Sequence, residues 1–591
     1  MRRTITQLKK GLLFVAAILL TSTQLNAATY TAILSGAFSN TATWSGGIVP
    51  PLQLQLGDDV IIPSGITISL DQNLEIASSS TLDVDGALTG GTGYALILTS
   101  GTLSGTGSID VDSFSAAFTS GFSFTGNLTT NAFHSTNANI NSAATIVVDN
   151  TLYLSGGTMT MAAGSLALSN NATIVVDGGV ITLSGGSANL ANTYHVMYKG
   201  ATSTAGIELS GSGLTNITIN TNSGQEVKLS NNLTINGDLT LTMGALNLNN
   251  NNLTFSANGD LAASGSGTIT SSSGSDITIN ASGGLSGTLR FTSGGNTVNN
   301  FTLNLGSGTA TVMVNGDLMI SGNLNLQQGR LNIAANKLEL DANATVSGGS
   351  ANSFVITGTG GTLSLNLNTG TTKTFHIGTN NDYAPIMIKS NSGSVNTRMN
   401  IGVNADVKAN GTTGASAGAT QPLVNATWFV ASSAAAGVDV DMTVMWSSNM
   451  EVNSFDRTKA YISHYVNGKW DAYASAAATM SGSMYSMTRA GVNSFSPFAV
   501  FDENTTLSVD EIAANLAVNI YPNPANDVIN ISVTGNNTNM NAEIYNVSGQ
   551  VVYKAAVQNN SSINISNLPD GMYYIKLNGQ TANGTQKFIK Q

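Results

Sequence analysis

The sequence predicts an all-β chain: a parallel β-helix (solenoid), then a β-sandwich, then a small C-terminal antiparallel β-sandwich. Three observations predict this. A 19-residue segment recurs without gaps. Short runs alternate apolar and polar residues from about residue 60 to 370, separated by Gly or Asn. Helical periodicity is absent throughout.

The repeat identifies the central architecture. Residues 237–255 read GDLTLTMGALNLNNNNLTF, and residues 322–340 read GNLNLQQGRLNIAANKLEL. Looser copies lie at 151–159, 165–168 and 82–88. A short strand with one apolar face cannot fold alone. Stacked as coils, such strands bury Leu, Ile and Val and leave Thr, Asn and Ser outside. The expected fold is a right-handed parallel β-helix over residues 76–370. Roughly 20 residues and ~4.8 Å per coil would make a rod of roughly 70–75 Å. Gly and Asn suit its left-handed corners. Leu246 and Leu331, equivalent in the two repeats, should point inward. Inward Asn251 and Asn336 are candidates for amide ladders along the axis. A row of antiparallel sandwiches would alternate similarly and is the competing architecture.

Residues 1–27 read as a signal peptide. Arg2, Arg3, Lys9 and Lys10 precede an apolar run at 11–20, and small residues follow to Ala27. The run is shorter than the ~20 residues of a membrane span. Residues 28–75 read as an N-terminal cap. Trp44 opens WSGGIVPP, and Gly57 opens GDDVIIPSGITISLD. These elements resemble the domain family named for its eight glycines, found near the N-termini of surface proteins. Trp44 is placed to plug the open end of the solenoid.

Near residue 370 strands lengthen and aromatics gather, including three of the four tryptophans. Residues 371–501 read as a β-sandwich. Its candidate strands are 372–378, 385–389, 399–403, 427–431, 438–446, 459–466 and 496–501, with a polar loop at 405–421. The sequences HYVNGKW at 464–470 and SFSPFAV at 494–500 resemble a module common before type IX sorting domains. Residues 502–515 form a polar linker.

The last segment, 516–591, carries three motifs in order. Tyr521, Pro522, Asn523 and Pro524 open YPNPA. Gly549 sits in YNVSGQVV. Gly571, Tyr573 and Lys576 lie in LPDGMYYIK, before the terminal KFIKQ. Each run alternates and is bounded by turn residues, which gives the small antiparallel sandwich. The pattern resembles the type A C-terminal sorting domain of type IX secretion cargo in Bacteroidota. The resemblance implies recognition by the outer-membrane secretion machine. It also implies removal of the domain, with lipopolysaccharide attachment or release at the cell surface.

Composition bounds the chemistry. Lys+Arg is 21 and Asp+Glu is 32, for a net charge of -11, and charged residues are only 9%. Such a sparse acidic surface argues against nucleic acid. With no cysteine, thiol redox, thiolate metal sites and disulfides are excluded. At 41% hydrophobic residues, a large core is expected.

The histidines are His134, His195, His376 and His464, without metal or triad spacing. Metalloprotease, nucleophile-elbow and phosphate-loop motifs are missing. Asp58 and Asp59, then Asp83 with Asp85 and Asp110 with Asp112, are the densest acids. Each of the last two pairs projects two carboxylates to one strand face, 27 residues apart. On adjacent coils they would suit calcium, which takes oxygen ligands; the other reading is a solvated acidic face. Tryptophans of the sandwich suit either core packing or stacking on sugars. Thr-x-Thr runs at 240–242 and 158–160 are too irregular for an ice-binding face.

The expectation is a secreted, non-enzymatic surface stalk of adhesin type, without a cofactor unless calcium binds. Its partners would be the secretion machinery, lipopolysaccharide, and glycans or neighbouring cell surfaces. The alternatives are a carbohydrate-active β-helix enzyme (lyase or glycosidase) and a structural coat or matrix protein.

Overall fold

The computed structural model describes residues 27–117, 121–505, 518–533, 540–558, 560–578 and 583–591. The predicted signal peptide and most of the predicted linker lie outside these residues. The chain divides into two compact units, Met1–Val355 and Ile356–Gln591.

The first unit is a parallel β-solenoid of about 14 turns. Each early coil contributes three short strands to three stacked ranks. Thr29–Thr31, Asp59–Ile62, Thr81–Val84 and Thr102–Ser104 form one rank. Gly36–Ala37, Thr67–Leu70 and Ala87–Gly90 form the second; Leu74–Ile76 and Ala95–Leu98 begin the third. The strand Ser108–Ala116 continues both of these ranks, bending near Asp112. Coils run from 18 residues, where Asn127 pairs with Thr145, to 32 in the first coil, where Gly36 pairs with Ile68; later coils reach 25, where Thr288 pairs with Met313. At ~4.8 Å per turn the solenoid is roughly 65 Å long.

Alternation dictates what is inside. Leu233, Leu253, Ile277, Phe301 and Leu324 stack in register as one buried column. Each such side chain contributes roughly 1.5–3 kcal/mol on burial. Leu246 and Leu331 are fully buried. The repeat's glycines have specific duties. Gly244 and Gly329 occupy equivalent positions with φ of +80° and +98°, where other residues are strained.

The asparagine ladder exists, but not where the sequence placed it. Asn251 and Asn336 are half-buried turn residues. Their amides donate to Leu229 O and Ile333 O, at 3.0 and 2.9 Å. The ladder runs instead along the corner that precedes the column above. The Oδ1 atoms of Asn232, Asn252, Asp276 and Asn300 accept the backbone N–H of Asn252, Asp276, Asn300 and Asn323 in turn, at 2.9–3.1 Å. At a corner each coil presents an N–H that no strand pairs. An Asx side chain one coil back satisfies it. Inward positions lack such donors and take apolar residues.

Among the described residues parallel stacking begins at Thr29, and the residues read as a cap take part in it. Trp44 is buried, edge-on to Phe38 at 5.2 Å, and its Nε1 donates to Phe38 O at 2.8 Å. Asp58 accepts from Ala28 N–H at 3.1 Å and Gln55 N–H at 2.8 Å, tying the chain's first described strand to the next coil.

The second unit contains antiparallel sheets. One runs through Thr362–Leu367, Thr397–Ala405, Leu423–Ser432, Pro497–Asp502 and Ala460–Val466. The other contains Thr372–Phe375, Ile386–Ser390, Val440–Trp446 and Met484–Val492. Thr362–Leu367 pairs antiparallel with Thr397–Ala405. Trp428 and Trp446 are fully buried, with Nε1 donating to Ala384 O at 3.0 Å and Glu451 Oε1 at 2.9 Å. Trp470 is half-buried between Tyr465 and Phe501, edge-on to both. Core packing, one of the two readings, accounts for these rings.

The C-terminal segment forms two further antiparallel sheets. Val518–Tyr521, Val528–Val533 and Ser562–Asn564 make one. Val551–Val557, Met540–Asn546, Gly571–Asn578 and Asn583–Lys590 make the other. Ile529, Ile531, Ile544, Ile563, Ile575, Leu577 and Phe588 form its core.

Candidate functional site

The three terminal motifs have distinct physical tasks. Tyr521, Pro522, Asn523 and Pro524 are exposed, yet the loop is fastened. Asn523 Oδ1 accepts the N–H of Ile589 at 2.9 Å, and its amide donates to Lys587 O at 3.2 Å. Ala525, buried beneath the loop, donates to Ile589 O at 2.8 Å and accepts from Gln591 N–H at 2.9 Å. YPNPA is thus the segment that the terminal strand closes onto. Gly549, at φ +78°, completes a turn in which Asn546 Oδ1 accepts from the N–H of both Ser548 and Gln550 at 3.0 Å. Tyr573 is buried, stacks on Phe588 at 5.6 Å and donates its hydroxyl to Pro569 O at 2.7 Å. This explains the spacing of Pro and Tyr around Gly571, which begins the strand. Lys576 is exposed opposite Glu543 and Thr585. Glu543 is held below its usual pKa, first by its hydrogen bond from Lys554, with the charge of Lys576 adding a smaller effect.

The acidic pairs of the solenoid do not stack on one another. Asp83 stands opposite Ser104 and Ile61, in the rank of Thr81–Val84. Asp110 stands opposite Thr89 and Thr129 in a different rank. Each pair engages its neighbouring coils instead. Asp83 accepts from Ser104 Oγ at 3.1 Å, and Asp85 from the N–H of Thr106 at 3.0 Å. Asp112 accepts from Gly93 N–H at 2.7 Å and from the Asn131 amide at 3.2 Å. Among the described residues, no three His, Asp or Glu gather where a metal ion could be held.

The histidines are separate. His134 stacks on Tyr153 and His464 on Phe498; Nδ1 of His195 meets Thr215, and Nδ1 of His376 meets Tyr383. Burial pushes His134, His376 and His464 below the usual imidazole value. For His464 the Arg489 charge adds to this and Asp471 opposes it.

One concave site escaped the sequence reading. A pocket of about 460 Å³ in the second unit is lined by the 358–362 turn, Asn404–Asp406, Lys408, Gly411, Thr412, Thr427 and Phe429. Phe429 follows the buried Trp428 on one strand and so faces the opposite way. The segment read as a polar loop builds one wall. It folds into a hairpin of Lys408–Asn410 and Thr413–Ser416, anchored by fully buried Val407. The sequence signal was the apolar Val407 and Ala417 among polar residues. Asp406 pairs with Lys408 at 2.7 Å. Against the desolvation of partial burial, hydrogen bonds from Lys408 and Ser416 hold its carboxyl below the usual value.

An antiparallel module with a fastened opening loop defines the end of the chain as a domain with its own core and motif. Residues 519–591 match the family described as the secretion system C-terminal sorting domain. That domain marks proteins exported across the outer membrane to the cell surface or extracellular space, by type IX secretion. No curated protein and no solved structure matches the chain.

Proposed function

We propose that this exported protein is a non-enzymatic surface adhesin in which the solenoid is a stalk and the sandwich carries the binding function. The observation that supports it is the use of the solenoid's carboxylates. Asp83, Asp85, Asp112, Asp260, Asp276 and Asp317 each accept a hydrogen bond from a neighbouring coil. They act as links between coils. A glycosidase or lyase groove needs convergent acids free to meet a substrate. The secretion machinery is the partner that the sorting domain implies. Lipopolysaccharide attachment, glycans and neighbouring cells are the surface partners proposed here. The eight-glycine resemblance of residues 28–75 belongs to the same reading.

The test pairs two measurements on the exported chain: binding to cells and glycan arrays, and product release from pectins, alginates, glucans and sulfated glycans. Binding without turnover is expected. Turnover that disappears in Asp83→Ala or Asp110→Ala would establish the enzyme instead.

A further inference from the structure

We infer that the pocket floored by Phe429 binds a terminal pyranose of a neutral glycan. This rests on the adhesin reading and assigns it a site.

The walls are fixed before any ligand arrives, which lowers the cost of binding. On one side, Thr357 Oγ1 accepts the N–H of Val403 at 2.8 Å and donates to Val403 O at 3.2 Å. Gly361 N–H closes the turn onto Gly358 O at 2.9 Å. On the other side, the Trp470 indole donates to Lys408 O at 3.0 Å, and Thr427 Oγ1 donates to Asp406 O at 2.8 Å. Asp406 itself sits at φ +99°, a conformation that non-glycine residues avoid. Such strain persists only where the surroundings enforce it, and it concentrates at binding sites.

The lining selects the ligand. The volume lies within the range of small-molecule sites. Phe429 is half-buried and lines the pocket, so part of its ring can meet an apolar surface. A pyranose has such a surface, formed by its axial C–H bonds, with hydroxyls around its edge. Thr359, Thr362 and Thr412 ring the pocket with hydroxyl groups, and Asn404 adds an amide. Asp406 and Lys408 neutralise one another, while each keeps atoms able to pair with a sugar hydroxyl. A uronic or sialic acid would have to desolvate its carboxylate beside a cation and an anion that already compensate one another. A neutral sugar avoids that cost.

Titration calorimetry and saturation-transfer NMR on the full chain test the site. The probes are methyl glycosides of glucose, galactose, mannose and N-acetylglucosamine, with methyl glucuronide as the anionic control. At least one neutral glycoside should bind. Phe429→Ala should weaken it by about tenfold, the size of one aromatic contact. Thr412→Trp, at an exposed rim position, should block the pocket and leave melting unchanged; it decides the matter if Phe429→Ala does not fold. The inference is overturned if no neutral glycoside binds, if binding survives Thr412→Trp, or if the glucuronide binds best. Adherence of the chain to cells without glycoside binding would overturn the pocket and leave the adhesin reading intact.

Discussion

The solenoid and the terminal module use the same residue, asparagine, in opposite ways. In the solenoid, Asn252 holds the next coil, 24 residues on, and an equivalent residue repeats the bond in coil after coil. In the terminal module, Asn523 reaches 64 and 66 residues to Lys587 and Ile589 and does so once. A polar residue in the repeat is local architecture, and its neighbours share the load. A polar residue in the terminal motif is a single long-range closure. Repetition therefore signals a structural duty in this chain, and an unrepeated motif signals a specific one.

The largest effect should come from breaking the solenoid from within. Leu246→Asp buries a carboxylate without a partner and should cost about 4 kcal/mol or more. Thermal melting of the full chain, followed by circular dichroism, should show the first transition fall by well over about 5 °C. A shift below about 2 °C would mean the side chain reaches solvent and the register is wrong.

Next in size, Asn523→Ala removes both bonds of the closure and should destabilise the terminal module by about 1–2 kcal/mol. Hydrogen exchange at the amide of Ile589 reads this directly. Unchanged protection there would show that the loop does not hold the terminal strand. Asn252→Ala should cost about 1 kcal/mol or less, because water and adjacent rungs compensate at a half-buried corner. If the two substitutions have equal effects, the distinction between shared and single bonds fails.

The smallest effect concerns pH. His464 is buried with its folded pKa lowered, so the folded state disfavours the imidazolium. Its contribution is complete above the unfolded value of about 6.5. Stability is lost as pH falls below that, because the unfolded chain takes up the proton first. Arg489 sharpens the effect, and Asp471 moderates it. Melting of the second unit should decline modestly from pH 7 to 5, and less steeply in His464→Phe. An equal slope in the variant would remove His464 from the account.

Much of the fold was legible because solenoid information is local. Alternation and turn residues recur within one coil, and the gapless repeat set the position of Leu246 and Leu331. The run of [ND]-[LIF]-T beginning at Asn232, Asn252, Asp276 and Asn300 was also visible, but its ladder was not. Telling a corner from an inward position needs the coil length, which varies between 18 and 32 residues. The same variation left open whether Asp83 and Asp110 would share a rank. Of the pocket, only the apolar Val407 and Ala417 of one wall left a trace in the sequence. Phe429, Asp406 and the 358–362 turn meet only through long-range antiparallel pairing. The terminal motifs were legible as a set because their spacing is fixed by the closure they make.

Surface exposure of the chain on intact cells, with and without Val518–Gln591, tests the central claim most directly. The truncated protein should be protected from added protease and recovered in the periplasm, while the full chain is cleaved or shed. Equal surface exposure of the truncated chain would contradict the assignment of export to the terminal module.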